Sequence, residues 1–94
     1  MNVRVEYTGQ LPSVLGRAAD TVVLPSAANL VTLLEHLAAT GPTVLQAHLR
    51  SADGSWWPSL LIGVNGTAHS ARLAETVPLN EGDVVTLLPP IGGG

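Results

Sequence analysis

The sequence predicts an α+β fold, in which one main helix packs on one face of a mixed sheet. The chain begins with two short segments rich in β-branched residues, continues with one segment of helical period, and closes with two further apolar segments of strand length. Strands grouped around one helix are typical of α+β domains. With 94 residues, of which 46% are hydrophobic and 12% charged, the chain fits one domain and is too apolar for a disordered one.

Two strands are expected near the start of the chain. The segment "NVRVEYTG" places Val3, Val5 and Tyr7 on one side and polar residues on the other, which is the period of a strand with one solvated face. The segment "DTVVLP" predicts a second strand that ends at Pro25. The connecting segment "LPSVLGRAAD" is assigned to a loop with room for a short helical turn, and so short a connection favours antiparallel pairing.

The main helix is predicted from the segment "ANLVTLLEHLAATG". Its leucines recur at the i, i+3, i+4, i+7 spacing of an amphipathic helix, at Leu30, Leu33, Leu34 and Leu37. Asn29 precedes this stripe and can cap the first free N–H groups, whereas Gly41 and Pro42 end the helix. The next segment, "TVLQAHLR", predicts a short second helix with three inward-facing residues, Val44, Leu45 and Leu49.

Two further strands are expected in the second half of the chain. The apolar segment "WPSLLIGVNG" predicts a strand that ends at an Asn65–Gly66 turn. The following "TAHSARLAETVPLNEGD" predicts mostly turns, with at most one short strand. In the last strand, "DVVTLLPP", alternation predicts that Val85 and Leu87 face one way and that Val84, Thr86 and Leu88 face the other. If the first and last strands lie side by side in the centre of the sheet, this arrangement is a β-grasp, with a domain over residues 1–89 and a flexible glycine tail over residues 90–94.

The composition excludes several classes of function. The absence of cysteine excludes disulfides, thiolate metal sites and a cysteine nucleophile. The chain has no lysine, and its arginines are scattered, so we expect no nucleic-acid partner. No apolar segment approaches the roughly 20 residues that cross a bilayer, and the first residues lack a signal peptide, so we expect a cytoplasmic protein without a membrane partner. The histidines are too dispersed to predict a metal site, at His36, His48 and His69.

The last residues, "LLPPIGGG", have the properties of a reactive thread. The α-carboxylate of Gly94 is ionised at neutral pH and is a poor electrophile until it is converted to an acyl-adenylate, whose carbonyl is open to a sulfur nucleophile. Glycine leaves that carbonyl uncrowded, because it has no Cβ. Pro89 and Pro90 stiffen the root of the thread, and an extended segment from Pro89 to Gly94 reaches about 20 Å. A frayed chain end is the alternative interpretation of these glycines.

The chain resembles the MoaD/ThiS family of ubiquitin-like sulfur carriers over nearly its whole length. The resemblance rests on "NVRVEYTGQL", "ANLVTLLEHLA" and "IGVNG", and most specifically on "PLNEGDVVTLLPPIGGG". The Pro-Pro pair resembles the small subunit of molybdopterin synthase more than the thiamine-pathway carrier. Gly92 stands where that subunit commonly has Ser or Ala, and the stretch "RSADGSWWPSLL" is longer than in the shortest members, so the pathway is left open.

The resemblance implies a function for the tail. A ubiquitin-activating-type adenylating enzyme (MoeB/ThiF-like) would use ATP to activate the Gly94 carboxylate, and a sulfur donor would convert it to a thiocarboxylate. In a molybdopterin-type system the charged tail would enter the large subunit (MoaE-like) and hand sulfur to a pterin precursor. The protein would then bind no cofactor of its own and would not be catalytic alone. The residues expected to thread into the partner are Pro89, Pro90, Ile91, Gly92 and Gly93.

The outward side of the last strand is the predicted partner surface. An uncovered apolar strand face usually marks a binding site, so we assign partner binding to Val84, Thr86 and Leu88, and we expect Leu60 and Ile62 to extend the patch. A covering loop is the alternative for this face. The rival functions are sulfur delivery to thiamine, cysteine or specialised metabolites, and a ubiquitin-like modifier whose terminal glycine is joined to a lysine. An autonomous enzyme is not favoured, because no catalytic constellation is visible.

Overall fold

The computed structural model describes residues 1–89, which form one sheet with helices packed against it. The elements in chain order are β1 (Asn2–Tyr7), α1 (Leu11–Leu15), β2 (Ala19–Val23), α2 (Leu30–Thr40), α3 (Thr43–Leu49), β3 (Leu61–Val64), β4 (Thr67–Ser70), a 3-10 helix (Ala71–Thr76) and β5 (Val84–Leu88). The strand order is β2-β1-β5-β3-β4. The first and last strands are parallel neighbours in the middle of the sheet, and the other pairs are antiparallel. The predicted α+β class and mixed sheet are confirmed.

The core lies between the sheet and its helices. Alternate residues of the two central strands are fully buried, among them Val3, Val5, Val85 and Leu87. They form one apolar cluster with the leucine stripe of α2 and with Leu45 and Leu49 of α3. Val44, which we expected to face inward, is instead 36% exposed. A helix as short as α3 buries only a narrow stripe, and Leu45 and Leu49, four residues apart, already fill it.

The connection between β1 and β2 contains a helix where we expected a loop. α1 begins with Pro12 in its first turn and ends at Gly16, whose φ of 74° is left-handed and whose N–H donates to the Pro12 carbonyl at 2.9 Å. Proline is favoured in the first turn of a helix and glycine just past its end. The two residues that indicated a loop are therefore the start and stop signals of one short helix.

The main helix begins as predicted. Asn29 Oδ1 accepts a hydrogen bond from the Thr32 N–H at 3.0 Å, and Thr32 Oγ1 accepts one from the Asn29 N–H at 3.2 Å. This reciprocal pair satisfies two backbone donors that the first turn of a helix leaves free. The helix ends before Gly41, whose N–H donates to the Leu37 carbonyl at 2.9 Å. Asn29 and Gly41 thus fix both ends of the helix that covers the sheet.

A buried carboxylate fixes the start of β5. Asp83 is 9% exposed and accepts hydrogen bonds from the Asn80 N–H at 2.8 Å and from Asn65 Nδ2 at 2.9 Å. Asn65 Oδ1 in turn accepts the Val84 N–H at 2.9 Å. Asn65 has a φ of 51° and, with Gly66, forms the predicted turn between β3 and β4. One network therefore ties the β3–β4 turn to the beginning of the last strand.

The Asp83→Ala variant should lose about 3 kcal/mol of unfolding free energy, because two hydrogen bonds to a charged acceptor disappear and their donors stay partly buried. Urea denaturation followed by tryptophan fluorescence measures this loss. The Asp53→Ala variant is the matched control, since the Asp53 carboxylate is exposed and bonds only to Ser51 and Ser55 of its own loop. An equal loss in both variants would contradict a special role for the buried network.

Tyr7 is the one tyrosine of the sequence and lies against the core at the end of β1. Its hydroxyl donates to Asp20 Oδ2 at 2.6 Å, and Arg17 Nε donates to both oxygens of the same carboxylate at 2.8 and 2.7 Å. Burial raises the pKa of the Tyr7 phenol well above its ordinary value, and the hydrogen bond to Asp20 raises it further. At alkaline pH the folded protein therefore keeps the Tyr7 phenol proton, whereas the unfolded chain has released it.

The sign of this linkage gives a test at alkaline pH. The unfolded chain loses the Tyr7 proton near pH 10, whereas the folded chain keeps it, so the unfolding free energy should fall as the pH rises above about 10. An absorbance titration at the tyrosinate band reports Tyr7 alone. Its midpoint should lie above that of free tyrosine, and Tyr7→Phe should remove this part of the pH dependence. A midpoint equal to that of free tyrosine would contradict the burial of this phenol.

Candidate functional site

The last strand presents two different faces, as its alternation predicts. Val85 and Leu87 are fully buried in the core cluster. Val84, Thr86 and Leu88 are only half-buried, although they lie in a central strand with a neighbour on each side. Their side of β5 therefore faces away from the core. Within residues 1–89, other parts of the chain bury these three side chains only partly.

Leu61 of β3 also lies on this face of the sheet, although we did not predict it there. Leu61 pairs with Leu88 and is 44% exposed. Gly63 pairs with Thr86 and is itself buried, and a Cβ placed there would lie 3.5 Å from Thr86 Cβ, so Thr86 packs over this glycine. We call Leu61, Val84, Thr86 and Leu88 the outer patch. Its apolar end, Leu61 and Leu88, lies where β5 leaves the sheet.

The expectation that Leu60 and Ile62 extend this patch is wrong. Both side chains are fully buried, and Ile62 pairs with the core residue Leu87. The residues of the run "LLIGV" are all apolar or glycine, so no polar side chain marks its outward face, and a shift of one residue exchanges the two faces of a strand. The observed register moves the outward position from Leu60 and Ile62 to Leu61.

Charged residues border the outer patch on the β1 side. Arg4 pairs with Val84, and Glu6 pairs with Thr86. Arg4 Nε donates to Glu6 Oε2 at 3.0 Å, and the two side chains are 55% and 43% exposed. An ion pair as exposed as this one adds little stability. Both groups remain accessible at the rim of an apolar surface, which is the usual composition of a protein-binding patch.

The root of the tail is held by the turn that follows β1. Thr8 Oγ1 donates to the Leu87 carbonyl at 2.8 Å, across 79 positions of sequence. Gly9 has a φ of 64°, and a Cβ placed there would lie 3.9 Å from Pro89 Cγ. Of the predicted threading residues, only Pro89 lies within the described part of the chain. The others lie outside the described residues, and their roles stay predictions: Pro90, Ile91, Gly92, Gly93 and Gly94.

Within residues 1–89, no group of three or more histidine or acidic side chains is placed to hold a metal ion. The same part of the chain contains no helix with the length and apolar character needed to span a bilayer. The surface features closest to the predicted thread are the outer patch and the adjoining tail root. They suit the docking of a protein and the presentation of a chain end.

Solved structures of known proteins share this fold. Small archaeal modifier protein 1 of Haloferax volcanii superposes with a TM-score of 0.82 at 22% identity, over all of both chains. A putative molybdopterin converting factor subunit 1 of Pyrococcus furiosus gives a TM-score of 0.69 at 23% identity, over 97% of this chain and 99% of that one. Subunit 1 of the molybdopterin-converting factor of Helicobacter pylori, solved in complex with subunit 2, gives 0.60 at 23% identity over all of both chains. These likenesses confirm the ubiquitin-like β-grasp.

The family is shown by the sequence itself. No curated protein matches the chain. A family model does match, and its description is the ThiS family. The match runs from residue 5 to residue 94, so it includes β5, the outer patch, the tail root and the terminal glycines. The chain therefore belongs to the ThiS family of ubiquitin-like sulfur carriers.

Proposed function

We propose that this protein carries sulfur on the C-terminal carboxylate of Gly94, in the manner of the small subunit of molybdopterin synthase. The observation that carries the proposal is the family match, which continues through the glycine tail to residue 94. The described structure supports it, because β5 leads directly from the outer patch into Pro89. The domain would dock on a partner while the thread delivers its end into that partner's active site.

The chemistry belongs to the partners. A carboxylate oxygen of Gly94 attacks the α-phosphorus of ATP on a MoeB/ThiF-like adenylating enzyme, and pyrophosphate leaves. Hydrosulfide supplied by the sulfur donor then attacks the acyl-adenylate carbonyl, displaces AMP and loses its proton, which leaves a thiocarboxylate. Glycine at the reacting position keeps the carbonyl accessible. The carrier supplies position and recognition, it is not catalytic alone, and it holds no cofactor. Because the cycle consumes ATP, we propose that it takes place in the cytoplasm.

The acceptor we propose is the large subunit of a molybdopterin synthase. The similar chain of Helicobacter pylori is found in a complex of subunits 1 and 2 of the molybdopterin-converting factor, which supports a partner of this kind. We propose the outer patch as the docking surface, since its apolar side chains and charged rim suit a protein partner. Alternative acceptors are sulfur-accepting enzymes of thiamine, cysteine or specialised-metabolite biosynthesis.

A protein modifier is the second candidate function. The fold superposes on a Haloferax volcanii protein that is named a small archaeal modifier, with a TM-score of 0.82. In this role the same activated Gly94 carbonyl would be attacked by a lysine amine of a target protein rather than by sulfur. Because the chain itself has no lysine, it cannot form lysine-linked chains on itself. The two candidates share the first step and differ in the product on Gly94.

Intact mass spectrometry of the protein purified from its own cells tests the proposal. A carrier should show a population heavier by the mass difference between sulfur and oxygen, which fragmentation assigns to Gly94. Oxidation of Met1 adds almost the same mass, so the assignment to a terminus is essential. An unmodified Gly94 together with lysine-linked adducts would favour the modifier. Neither product, in cells that make the adenylating enzyme, would count against both functions.

A further inference from the structure

The central β1–β5 ladder ends at the root of the tail. In a parallel pair, each residue that faces the neighbouring strand both donates and accepts a slanted backbone hydrogen bond. Arg4 shows the pattern, because its N–H donates to the Asp83 carbonyl at 3.0 Å. Since Tyr7 pairs with Leu87, Thr8 is the next residue whose backbone would join β5. Its carbonyl would accept a bond from the N–H of residue 89.

Pro89 makes that bond impossible, because proline has no N–H. The Thr8 carbonyl accepts instead from the Leu11 N–H, at 3.2 Å, and so contributes to the start of α1. The Thr8 side chain supplies the remaining link to β5, since Oγ1 donates to the Leu87 carbonyl at 2.8 Å. Where the backbone ladder stops, a hydroxyl group therefore holds the last strand to its neighbour.

This hydrogen bond helps to set the direction of the chain that follows, together with the pairing of Leu88 with Leu61 on the other side of β5. The Leu87 carbonyl and the Leu88 N–H belong to one planar peptide group, so a bond to the oxygen orients the whole group. The next two links are already stiff, because Leu88 precedes a proline and Pro89 has a fixed φ. Gly9 completes the arrangement, since its φ of 64° turns β1 away close to the Pro89 ring. The orientation of the Leu87–Leu88 peptide thus contributes to the direction in which Pro89 leaves the sheet.

We propose that Thr8 is a positioning residue for the reaction at the chain end, acting through the Leu87 carbonyl and not by contact with substrate. The inference rests on the proposed function, in which the thread must reach a reacting group in another protein. A change of orientation at the root alters where the thread starts relative to the docked domain, and misplacement of reacting groups by one ångström can slow a reaction strongly. The hydroxyl should therefore affect turnover, whereas the outer patch governs docking.

The test compares three variants in ATP–pyrophosphate exchange catalysed by the adenylating enzyme of the same organism. Thr8→Val removes the hydroxyl with little change of shape, and Thr8→Ser keeps the hydroxyl. Thr76→Val is the matched control, because Thr76 Oγ1 likewise donates to a backbone carbonyl, that of Leu73 at 2.7 Å, in the 3-10 helix. We expect Thr8→Val to lower kcat by about 3- to 10-fold, the loss of one hydrogen bond, with KM for the carrier unchanged. Thr8→Ser and Thr76→Val should keep the kcat of the unaltered chain.

Each other outcome overturns the proposal. An unchanged kcat in Thr8→Val shows that the hydroxyl does not position the thread, provided that the unaltered chain supports exchange. Equal losses in Thr8→Ser and Thr8→Val show that the hydroxyl is not the cause. If Thr8→Val does not fold, Thr8→Cys replaces it with a weaker donor, and a kcat equal to that of Thr8→Ser overturns the proposal. An unaltered chain that gives no exchange counts instead against the proposed function.

Discussion

The chain without Gly94 should form no measurable acyl-adenylate. Deleting one residue withdraws the carboxylate by about 3.5 Å, which is far more than a reacting group tolerates, so ATP–pyrophosphate exchange should fall by at least about 100-fold. Gly94→Ala keeps the length but adds a Cβ beside the reacting carbonyl, so it should cause a smaller loss. Because Gly94 follows the folded domain, both variants should keep the unfolding free energy of the unaltered chain.

The control for this experiment is Leu73→Ala, which removes a side chain that is 59% exposed on the 3-10 helix. This variant should support exchange at the rate of the unaltered chain. The same preparations can be tested for thiocarboxylate by mass spectrometry after addition of a sulfur donor. Full exchange by the chain that lacks Gly94 would show that the reacting carboxylate lies elsewhere.

The second large effect is expected at the outer patch. Leu61→Asp places a charge at the apolar end of the patch, next to Leu88. If the patch docks on the large subunit of a molybdopterin synthase, the dissociation constant should rise by about 30-fold or more, which is typical of an interface residue that contributes strongly to binding. Isothermal titration calorimetry with that large subunit measures it. The variant should fold normally, since Leu61 is 44% exposed in the free protein.

Val23→Asp is the matched control for charge and exposure. Val23 is 71% exposed and lies on the edge strand β2, where it pairs with Asn2 of β1. β2 is two strands away from β5, which carries most of the patch. Its replacement should leave the dissociation constant within about 2-fold of the unaltered chain, as expected outside an interface. Equal weakening by both variants would indicate a general charge effect. Unchanged binding in Leu61→Asp would remove the outer patch from the proposal.

The sequence predicts best those elements in which the spacing of apolar residues repeats regularly. The four leucines of α2 and the alternation of Val84 to Leu88 each follow from a repeat that only one kind of element produces. The wrong assignments concern segments in which no such repeat is present. The run "LLIGV" has no polar residue to set its register, and proline and glycine occur in loops and at helix ends alike, as Pro12 and Gly16 illustrate.

The role of Thr8 could not be predicted from its neighbours in sequence. Its partner is the carbonyl of Leu87, 79 positions away, and the bond exists only because two strands meet in parallel and one of them continues into a proline. Leu61 was missed for a related reason, since its exposure depends on its pairing with Leu88. The glycine tail, by contrast, was found from residue type alone. Its chemistry and its threading role stay predictions.

The parallel pairing of β1 with β5 also matters for the order of events during synthesis. The two strands are neighbours in the centre of the sheet, although almost the whole described chain separates them in sequence. Contacts between residues so far apart in sequence are slow to form. During synthesis β1 cannot pair with β5 until β5, the last strand of the chain to be made, has been synthesised. A nascent or truncated chain without β5 therefore lacks both the middle of its sheet and the outer patch. If the proposed carrier function is correct, a partner that docks on the outer patch would bind only molecules in which β5 has been made and has joined the sheet.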